Sequence, residues 1–293
     1  MKQPATRSYP PGTVRRELGD LGRRPRKRLG QNFLAHPAIA QRIVALADLP
    51  PQARIVEIGP GLGALSDVLV ERAGEAWLIE VDTDLAARLA ERYRDRPHVH
   101  VVRADALNVD FAALLGDGPP ATAVANLPFN IATAVLARLL AQGPRFSRLV
   151  LMVQREVAER LRAQPGTKDS GTLSVLTQCA ARVRTGLRVG PEAFVPRPKV
   201  ESEVVVVEPL AAPPVAIDDL RRFTQVVKTV FLHRRKQLRN SLRALTADPV
   251  AALAAAGIDP TRRPETLTLA EFAALARALD AMPSGAAPSH ADA

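Results

Sequence analysis

The sequence contains a single cysteine, Cys179, in 293 residues. No disulfide can form within the chain, and no cysteine-rich metal cluster can be built from it. Cys179 lies in an apolar stretch, which favours a small buried side chain over a nucleophile. The five histidines show no ligand spacing, and His98 and His100 follow a strand pattern typical of edge or surface residues. These residues indicate a reducing compartment and predict no metal site.

Long hydrophobic runs are also lacking. No apolar stretch approaches the length that crosses a membrane, and the basic start lacks the apolar core of a signal peptide. We therefore expect a cytoplasmic protein with no membrane partner. Residues 1–26 are rich in Pro, Gly and Arg, which predicts a disordered basic arm. Its prolines argue against the amphipathic helix of an organelle transit peptide.

Positive charge is abundant. The chain has 40 Lys and Arg against 30 Asp and Glu, a formal net charge of +10 and a pI near 10.7. This balance favours a polyanionic partner such as RNA or DNA, although an arginine-rich proteome would produce it too. The cations cluster at Arg23–Arg28 and His233–Arg239 instead of being spread evenly, which favours the nucleic-acid interpretation.

Short β-branched runs alternate with helical patterns over the hundred residues after Pro51. This rhythm predicts an α/β fold with a doubly wound, mostly parallel, Rossmann-like sheet. Two later runs, Arg182–Val189 and Ser202–Glu208, predict strands that complete the sheet antiparallel at one edge. The predicted parallel strands are Arg54–Ile58, Ala76–Glu80, Val99–Arg103, Ala121–Ala125 and Leu149–Val153.

The carboxyl-terminal region follows an Ala/Pro linker, Leu210–Pro214, and shows only helical patterns. Arg235–Leu245 predicts a basic helix, and Thr268 with Glu271 predicts a capping box before the last helix. We therefore predict an α/β domain over residues 27–209, a small all-helical domain over 210–282 and a disordered tail over 283–293.

Polar residues and glycines fall where the predicted strands end, the edge at which open parallel sheets bind ligands. Gly59 and Gly61 follow the first strand within Glu57-Ile58-Gly59-Pro60-Gly61-Leu62-Gly63 and allow close backbone approach to a ligand. Glu80 ends the second strand, where it can accept from both hydroxyls of a ribose. Asp105 follows the third, where it can accept from an adenine amino group. Together they predict a nucleoside site.

The strand Ala121–Ala125 is followed by Asn126-Leu127-Pro128-Phe129. Asn126 offers a carbonyl that accepts from an amino group, Pro128 fixes the turn, and Phe129 can stack on a heterocycle. Alone, this is compatible with an ordinary proline turn, and the glycine pattern overlaps with dinucleotide-binding fingerprints. Because the tetrapeptide has no role in hydride transfer, the combination favours a methyltransferase acting on an amino nitrogen.

Two further motifs complete a recognisable set. They are Arg28-Leu29-Gly30-Gln31-Asn32-Phe33-Leu34 and Phe194-Val195-Pro196-Arg197-Pro198-Lys199-Val200-Glu201-Ser202. With the glycine loop and the tetrapeptide, they make the chain resemble the ribosomal RNA adenine dimethyltransferases from about Lys27 to Ala281. It is most similar to their small-subunit (16S) branch, the KsgA family.

The resemblance implies that S-adenosylmethionine is the cofactor. It implies transfer of two methyl groups to the N6 amino group of each of two adjacent adenosines near the 3′ end of 16S rRNA, with a role in small-subunit biogenesis. The expected partner is 16S rRNA within the small ribosomal subunit or its precursor, and we expect a monomer. Domain 27–209 would carry the methyl transfer, and domain 210–282 would bind RNA.

Site residues are carried over by motif. The expected cofactor contacts are Asn32, Leu34, Gly59, Gly61, Glu80, Asp105 and Asn126. The expected catalytic loop is Asn126, Leu127, Pro128 and Phe129, and the target adenine is expected to stack between Phe129 and Phe194. The expected RNA contacts are Lys199, Arg234, Arg235, Lys236 and Arg239. Attack on a sulfonium methyl depends on positioning more than on acid or base, and it requires no metal.

The chain departs from the common pattern in ways that leave alternatives open. Phe129 stands where the small-subunit enzymes more often carry Tyr, which weakens discrimination from the antibiotic-resistance methyltransferases of large-subunit RNA. Asp169-Ser170-Gly171 lacks an aromatic often found before that glycine. Gly30, where those resistance enzymes usually carry Ser, and the long carboxyl domain favour the small-subunit branch.

A second hypothesis is a non-catalytic RNA- or DNA-binding factor on the same fold, like the related mitochondrial transcription factors. The intact Gly59, Glu80, Asp105 and Asn126 argue for retained cofactor binding and against it.

Overall fold

The computed structural model describes residues 11–22 and 24–282. Its strands are β1 (Phe33–Leu34), β2 (Ala53–Ile58), β3 (Ala73–Glu80), β4 (Val99–Arg103), β5 (Ala121–Asn126), β6 (Phe146–Gln154), β7 (Ala181–Val189), β8 (Phe194–Val195) and β9 (Ser202–Pro209). Its α-helices are α1 (Pro11–Asp20), α2 (Pro37–Leu46), α3 (Ser66–Leu69), α4 (Thr83–Arg92), α5 (Phe111–Leu115), α6 (Ala132–Leu140), α7 (Arg155–Leu161), α8 (Thr172–Ala180), α9 (Leu220–Leu232), α10 (Leu238–Ser241), α11 (Pro249–Ala255) and α12 (Leu269–Ala281). The predicted tail, 283–293, lies outside the described residues.

The main sheet has seven strands in the order β4-β3-β2-β5-β6-β9-β7. The first five run parallel to their neighbours, and β9 pairs with β6 antiparallel. The chain proceeds from β2 outward to β4 on one side and from β5 to β6 on the other, where β9 lies between β6 and the edge strand β7. The strand order therefore reverses between β2 and β5, the switch point at which such sheets bind ligands. The predicted doubly wound, mostly parallel sheet is confirmed.

The central strands are buried on both faces, which explains their nearly continuous apolar sequences. Ile55 of β2, Val124 of β5 and Val150 of β6 are fully buried in one core cluster with Ile43 and Val44 of α2. Because close packing holds these strands rigidly, the residues at their carboxyl ends have fixed positions.

A second, two-stranded sheet pairs β1 with β8 antiparallel, placing Leu34 opposite Phe194 and Phe33 opposite Val195. The main-chain N–H of Ala35 also donates to the carbonyl oxygen of Ala193 at 2.7 Å. The amino-terminal motif is thereby fastened to a loop that follows it much later in the sequence.

The predicted disordered arm is wrong for Pro11–Asp20, which form helix α1. Val14 and Leu18, four residues apart on one helix face, are buried against Phe33 and Leu62. Proline does not prevent this helix, because Pro11 occupies its first position, where proline is tolerated. Residues 1–10 and 23 of the predicted arm lie outside the described residues.

The described residues form two compact units. One contains those up to Ala158 with Arg182–Ala211, and the other contains Glu159–Ala181 with those from Ala212 onward. The predicted boundary differs, since it assigned Glu159–Ala181 to the α/β domain 27–209. Helix α8 explains the difference, because its Val175 and Cys179 are buried in the helical core of the second unit. Burial of Cys179 confirms the sequence interpretation and raises the pKa of its thiol.

The predicted basic helix Arg235–Leu245 is α-helical only over Leu238–Ser241, because residues 233–237 form a turn and bend and Leu242–Ala244 form a single turn of 3-10 helix. The main-chain N–H groups of Leu238 and Arg239 donate to the carbonyls of Arg262 and Pro260 at 2.8 and 3.2 Å. These tertiary bonds replace those of a continuous helix. The predicted capping box at Thr268 is confirmed. Along the described chain, every helix is too short or too polar to cross a bilayer.

Candidate active site

A cavity opens at the carboxyl ends of β2, β3 and β5 and beside the segment that follows β4. Every cofactor and catalytic-loop residue predicted from the sequence lines it: Asn32, Leu34, Gly59, Gly61, Glu80, Asp105, Asn126, Leu127, Pro128 and Phe129. These residues come from five separate stretches of sequence, four of which are brought to one place by the alignment of the parallel strands.

Glu80 is fixed at the end of β3 by two main-chain donors. The N–H of Gly61 donates to one carboxyl oxygen at 3.0 Å, and the N–H of Asp82 donates to the other at 2.9 Å. Only 4% of Glu80 is exposed, and this burial raises the pKa of its carboxyl against the opposing effect of the two hydrogen bonds. Each oxygen retains a lone pair for a further donor. Glu80 can therefore support the glycine loop and still accept from a ligand hydroxyl.

The glycine loop needs glycine for its backbone and for the space above it. Gly59 and Gly61 have φ angles of 67° and 60°, in the left-handed region that side chains disfavour. A Cβ atom on Gly61 would lie 3.1 Å from the ring of Phe33, whereas one on Gly59 would meet no atom within 4 Å. The open space beside Gly59 lets a ligand approach the main chain.

Asn126 is half-buried at the end of β5. Its Nδ2 donates to the main-chain carbonyl of Asn32 at 3.0 Å, and Asn32 Nδ2 donates to the carbonyl of Gly30 at 3.1 Å. Because Nδ2 is the donor in this bond, Oδ1 is the side-chain atom of Asn126 that can accept a hydrogen bond from a ligand. The amino-terminal motif therefore orients the side chain that was predicted to hold the target amine.

Gly30 brings the amino-terminal motif against the tetrapeptide loop. Its φ angle is 62°, and a Cβ atom there would lie 2.9 Å from Asn130 Oδ1 and 3.2 Å from Pro128 Cβ. A side chain at Gly30 would have to displace the Asn130 side chain and would crowd Pro128. The glycine that favoured the small-subunit branch thus has a steric role at the cavity wall.

Sequence reasoning missed the contacts that hold Gln31. Gln31 Nε2 donates to Asp82 Oδ2 at 3.2 Å, and the N–H of Arg26 donates to Gln31 Oε1 at 2.8 Å. Arg26 also forms an ion pair with Asp82 at 3.2 Å. Asp82 could have been recognised, since it precedes α4 as a helix-capping residue.

Two other predicted residues, Asp105 and Phe129, remain accessible. Asp105 is exposed, and its carboxylate accepts from the N–H of Leu107 at 3.0 Å and from Asn108 Nδ2 at 3.4 Å. Phe129 is half-buried on the cavity wall. Both have surface left for a ligand.

Phe194 is not among the residues that line the cavity. It is 3% exposed and packs in the core cluster that contains Leu34. The predicted stacking of a target base on Phe194 does not fit this placement, because pairing of β8 with β1 buries the ring. The observed contribution of Phe194 is to support β1 and hence the wall formed by the amino-terminal motif.

The predicted RNA contacts lie in two segments, the loop before β9 and the stretch that runs from the turn after α9 into α10. Lys199 is exposed in the loop between β8 and β9 of the first unit. In the second unit, Arg235, Lys236 and Arg239 are exposed, but Arg234 is half-buried and its guanidinium donates to the main-chain carbonyl of Lys168. The Arg234 side chain is therefore bound to another part of the protein, whereas the sequence predicted that it would contact RNA.

Glu57 is a buried carboxyl that sequence reasoning did not assign. It lies on β2 beside the cavity, is 1% exposed and accepts from Ser66 Oγ at 2.6 Å. Burial raises the pKa of Glu57 from 4.5 to about 8, and repulsion by Asp67 and Glu80 adds to this, against the hydrogen bond from Ser66. A carboxyl between the two apolar residues Val56 and Ile58 of a predicted strand was the available signal.

Replacing Glu57 with glutamine should increase stability at alkaline pH. The folded-state pKa of Glu57 is raised, so the stability this carboxyl supports is present below about pH 4.5 and lost as the pH rises through about 8. Glutamine keeps an acceptor for Ser66 and cannot ionise. Between pH 5 and pH 9, the free energy of unfolding of Glu57→Gln should gain on the order of 2 to 4 kcal/mol relative to wild type. Urea unfolding at pH 5 and pH 9 measures the free energy of unfolding of both proteins. The same difference between variant and wild type at the two pH values would contradict the prediction.

Comparisons with known proteins agree with this geometry. The family model for ribosomal RNA adenine dimethylase matches residues 22–281. Ribosomal RNA small subunit methyltransferase A from Syntrophotalea carbinolica is 48% identical over 260 residues, covering 88% of this chain and 97% of the relative. The protein of that name from Magnetococcus marinus is 45% identical over 268 residues, covering 90% and 95%.

Solved structures show the same fold. A dimethyladenosine transferase from Plasmodium falciparum superposes with a TM-score of 0.70 at 21% identity, covering 83% of this chain and 95% of that one. The 23S rRNA methyltransferase ErmE superposes with a TM-score of 0.63 at 26% identity, covering 85% and 100%.

Proposed function

Because the chain belongs to the ribosomal RNA adenine dimethylase family, we propose that it dimethylates N6 of two adjacent adenosines near the 3′ end of 16S rRNA. The family establishes the class of activity: the protein is an S-adenosylmethionine-dependent adenine dimethyltransferase of ribosomal RNA. The observation that carries the proposal is the cavity in which Asn126, oriented by Asn32, lies together with Glu80 and the glycine loop. The nucleotides modified and the role of each residue are proposed on that basis.

The cavity fits the methyl donor. Glu80 would accept from the ribose hydroxyls, Asp105 from the adenine amino group, and the open main chain at Gly59 would face the methionine part. Asn32 and Leu34 would cover it, with Gly61 and Asn126 completing the wall. When bound, S-adenosylmethionine supplies an electrophilic methyl group on its sulfonium.

The protein has to activate a poor nucleophile, because the lone pair of an adenine amino group is delocalised into the ring. Asn126 Oδ1 and a main-chain carbonyl of the Leu127–Pro128 segment would accept its two hydrogens and favour a pyramidal nitrogen. A nitrogen held in this way would direct its lone pair in line at the methyl group that the bound donor supplies, so that transfer would exchange the carbon–sulfur bond for a carbon–nitrogen bond. A proton of the amino group would then pass to solvent. Positioning and electrostatics supply the acceleration.

Phe129 would stack on the target adenine once it has left its own stack. Phe129→Ala should lower the single-turnover rate on unmethylated subunits by roughly ten- to a hundredfold through lost stacking, whereas Phe129→Tyr should stay within a few-fold of wild type. An alanine variant as fast as the wild type would contradict the stacking role.

The large subunit is the competing substrate, since Phe129 and the likeness to ErmE are compatible with it. Unmethylated small and large subunits should be supplied with labelled S-adenosylmethionine, and the labelled nucleotides mapped. We expect label on two adjacent adenosines of 16S rRNA. Label confined to large-subunit RNA would overturn the proposal, and no transfer to either would favour the non-catalytic factor.

A basic segment of the second unit, formed by Arg235 and Lys236 of the turn and Arg239 of α10, is proposed to bind RNA phosphates. Its side chains are exposed, and such contacts release counterions regardless of base identity. Arg235→Gln with Lys236→Gln should weaken RNA binding and reduce the slope of log K against log salt by about one to two units. Arg221→Gln with Lys228→Gln removes the same charge from exposed positions of α9 and serves as the control. Equal slopes for both double variants would contradict the proposal.

The assembly and place of action follow from this substrate. We propose that a monomer acts on 16S rRNA within the small subunit or its precursor, with Lys199 as a further phosphate contact. Because small subunits are assembled in the bacterial cytoplasm, we propose a cytoplasmic enzyme. Sedimentation at micromolar concentration tests the monomer, and a dimer would contradict it.

A further inference from the structure

Helix α1 is connected to the glycine loop by a chain of polar contacts. Arg92, the last residue of α4, donates through Nη1 to the main-chain carbonyl of Leu62 at 2.7 Å. Its other terminal nitrogen lies 3.6 Å from Glu17 Oε2, which belongs to α1. Arg88, one turn earlier, lies 3.1 Å from the same oxygen. A helix outside the family motifs thus reaches the loop through one guanidinium.

These charged groups are well shielded from solvent. The side chains of Arg92 and Glu17 are 11% and 9% exposed, and Asp67, 3.6 Å from Arg92, is 13% exposed. Tyr93 in turn donates its hydroxyl to Asp67. At 3.6 Å the contacts of Arg92 with Glu17 and Asp67 are ion pairs and not hydrogen bonds, and in a shielded place two carboxylates on one side of a guanidinium favour one direction for it.

The glycine loop is consequently held from two sides. Glu80 accepts from the N–H of Gly61 on the cavity side, and Arg92 donates to the carbonyl of Leu62 on the other. Gly63 makes the second contact possible, because a Cβ atom there would lie 2.6 Å from Arg92 Nη1. Apolar packing follows the same path, since Leu62 lines the cavity and lies in one buried cluster with Val14 and Leu18 of α1.

We propose that Arg92 is a positioning residue for methyl-donor binding, and that Glu17 of α1 holds it in position. The inference rests on the placement of the donor against Gly59 and Glu80 proposed above. Arg92 does not line the cavity, so it acts through Leu62 and the adjoining glycines. Helix α1 is then a functional support of the cofactor site and not merely a covering of the fold.

Calorimetric titration of the full-length protein with S-adenosylmethionine tests this inference. Arg92→Gln should raise Kd by about tenfold, the size expected for a lost charged hydrogen bond. Arg92→Lys, which keeps a cation and a donor, should restore most of the affinity. Glu17→Gln should raise Kd by about threefold, and it should add little to Arg92→Gln in the double variant because the two act through one contact. Asp20→Asn is the matched control, since it removes an exposed charge from the same helix.

The titrations are read with thermal unfolding of the same variants. A lower Tm with an unchanged Kd in Arg92→Gln would show a structural role only and overturn the inference. Equal effects of Glu17→Gln and Asp20→Asn would overturn the part assigned to α1, and this comparison remains informative if Arg92→Gln does not fold. Glu80→Ala distinguishes a failure of the proposed donor placement from a failure of the role proposed for Arg92. If it leaves Kd unchanged, the placement of the donor has failed; if it alone weakens binding, only the role of Arg92 has failed.

Discussion

Replacing Asn126 with alanine should lower the single-turnover rate of methyl transfer by at least about a hundredfold, while the affinity for S-adenosylmethionine falls by less than about tenfold. The variant removes Oδ1, the acceptor proposed for the target amino group. It also removes the Nδ2 donor to the Asn32 carbonyl, which accounts for a modest effect on the cofactor. Because the neighbouring Ala125 and Leu127 are buried and do not depend on the Asn126 side chain, the fold should persist.

Single-turnover assays on unmethylated small subunits measure this effect, with saturating cofactor so that binding does not limit the rate. Asn130→Ala provides the control, because Asn130 is an exposed asparagine of the same loop that does not line the cavity. Its rate should stay near that of the wild type. An Asn126→Ala rate within a few-fold of the control would exclude positioning by Asn126 as the main source of catalysis.

Glu80→Ala should raise the Kd for S-adenosylmethionine by about a hundredfold or more and leave RNA affinity nearly unchanged. Two losses combine in this variant. The ribose hydroxyls lose a charged acceptor, and the N–H groups of Gly61 and Asp82 lose the carboxylate that fixes the loop. Methyl transfer at saturating cofactor should recover much of the wild-type rate, because Glu80 is not proposed to touch the target base.

Glu75→Ala is the matched control, since Glu75 is an exposed glutamate on the same strand that pairs with Arg54. Its cofactor affinity should equal that of the wild type. Calorimetry gives both dissociation constants, and filter binding gives the RNA affinity. A Glu80→Ala protein that binds the cofactor normally would remove Glu80 from the site, and one that loses RNA binding equally would point to a general structural defect.

Much of the cavity was predictable because its residues occur in short sequence motifs. Gly59, Gly61, Glu80, Asp105 and Asn126 each follow a recognisable strand, and parallel strands bring their carboxyl ends to one edge. The seven-stranded sheet could be anticipated for the same reason, since alternating strand and helix patterns allow few arrangements.

What sequence reasoning missed depends on contacts between distant residues. Whether Phe194 faces a ligand or the core is decided by its pairing with Leu34, and neither local sequence indicates that register. The raised pKa of Glu57 arises from burial by surrounding strands and helices. Glu159–Ala181 join the second unit because α8 finds its apolar partners there.

The sequence by itself therefore determined the family, the sheet and the chemical groups of the cavity, because these follow from local periodicity and from motifs of adjacent residues. Only the tertiary structure decided which of those groups are accessible and that the turn carrying Arg235 and Lys236 is not helical. It also placed Glu17, from an arm predicted to be disordered, beside Arg92, which donates to the glycine loop. Burial and long-range pairing are properties of the packed chain as a whole. A side chain acquires its exposure, its partners and its pKa only when residues far away in the sequence close around it.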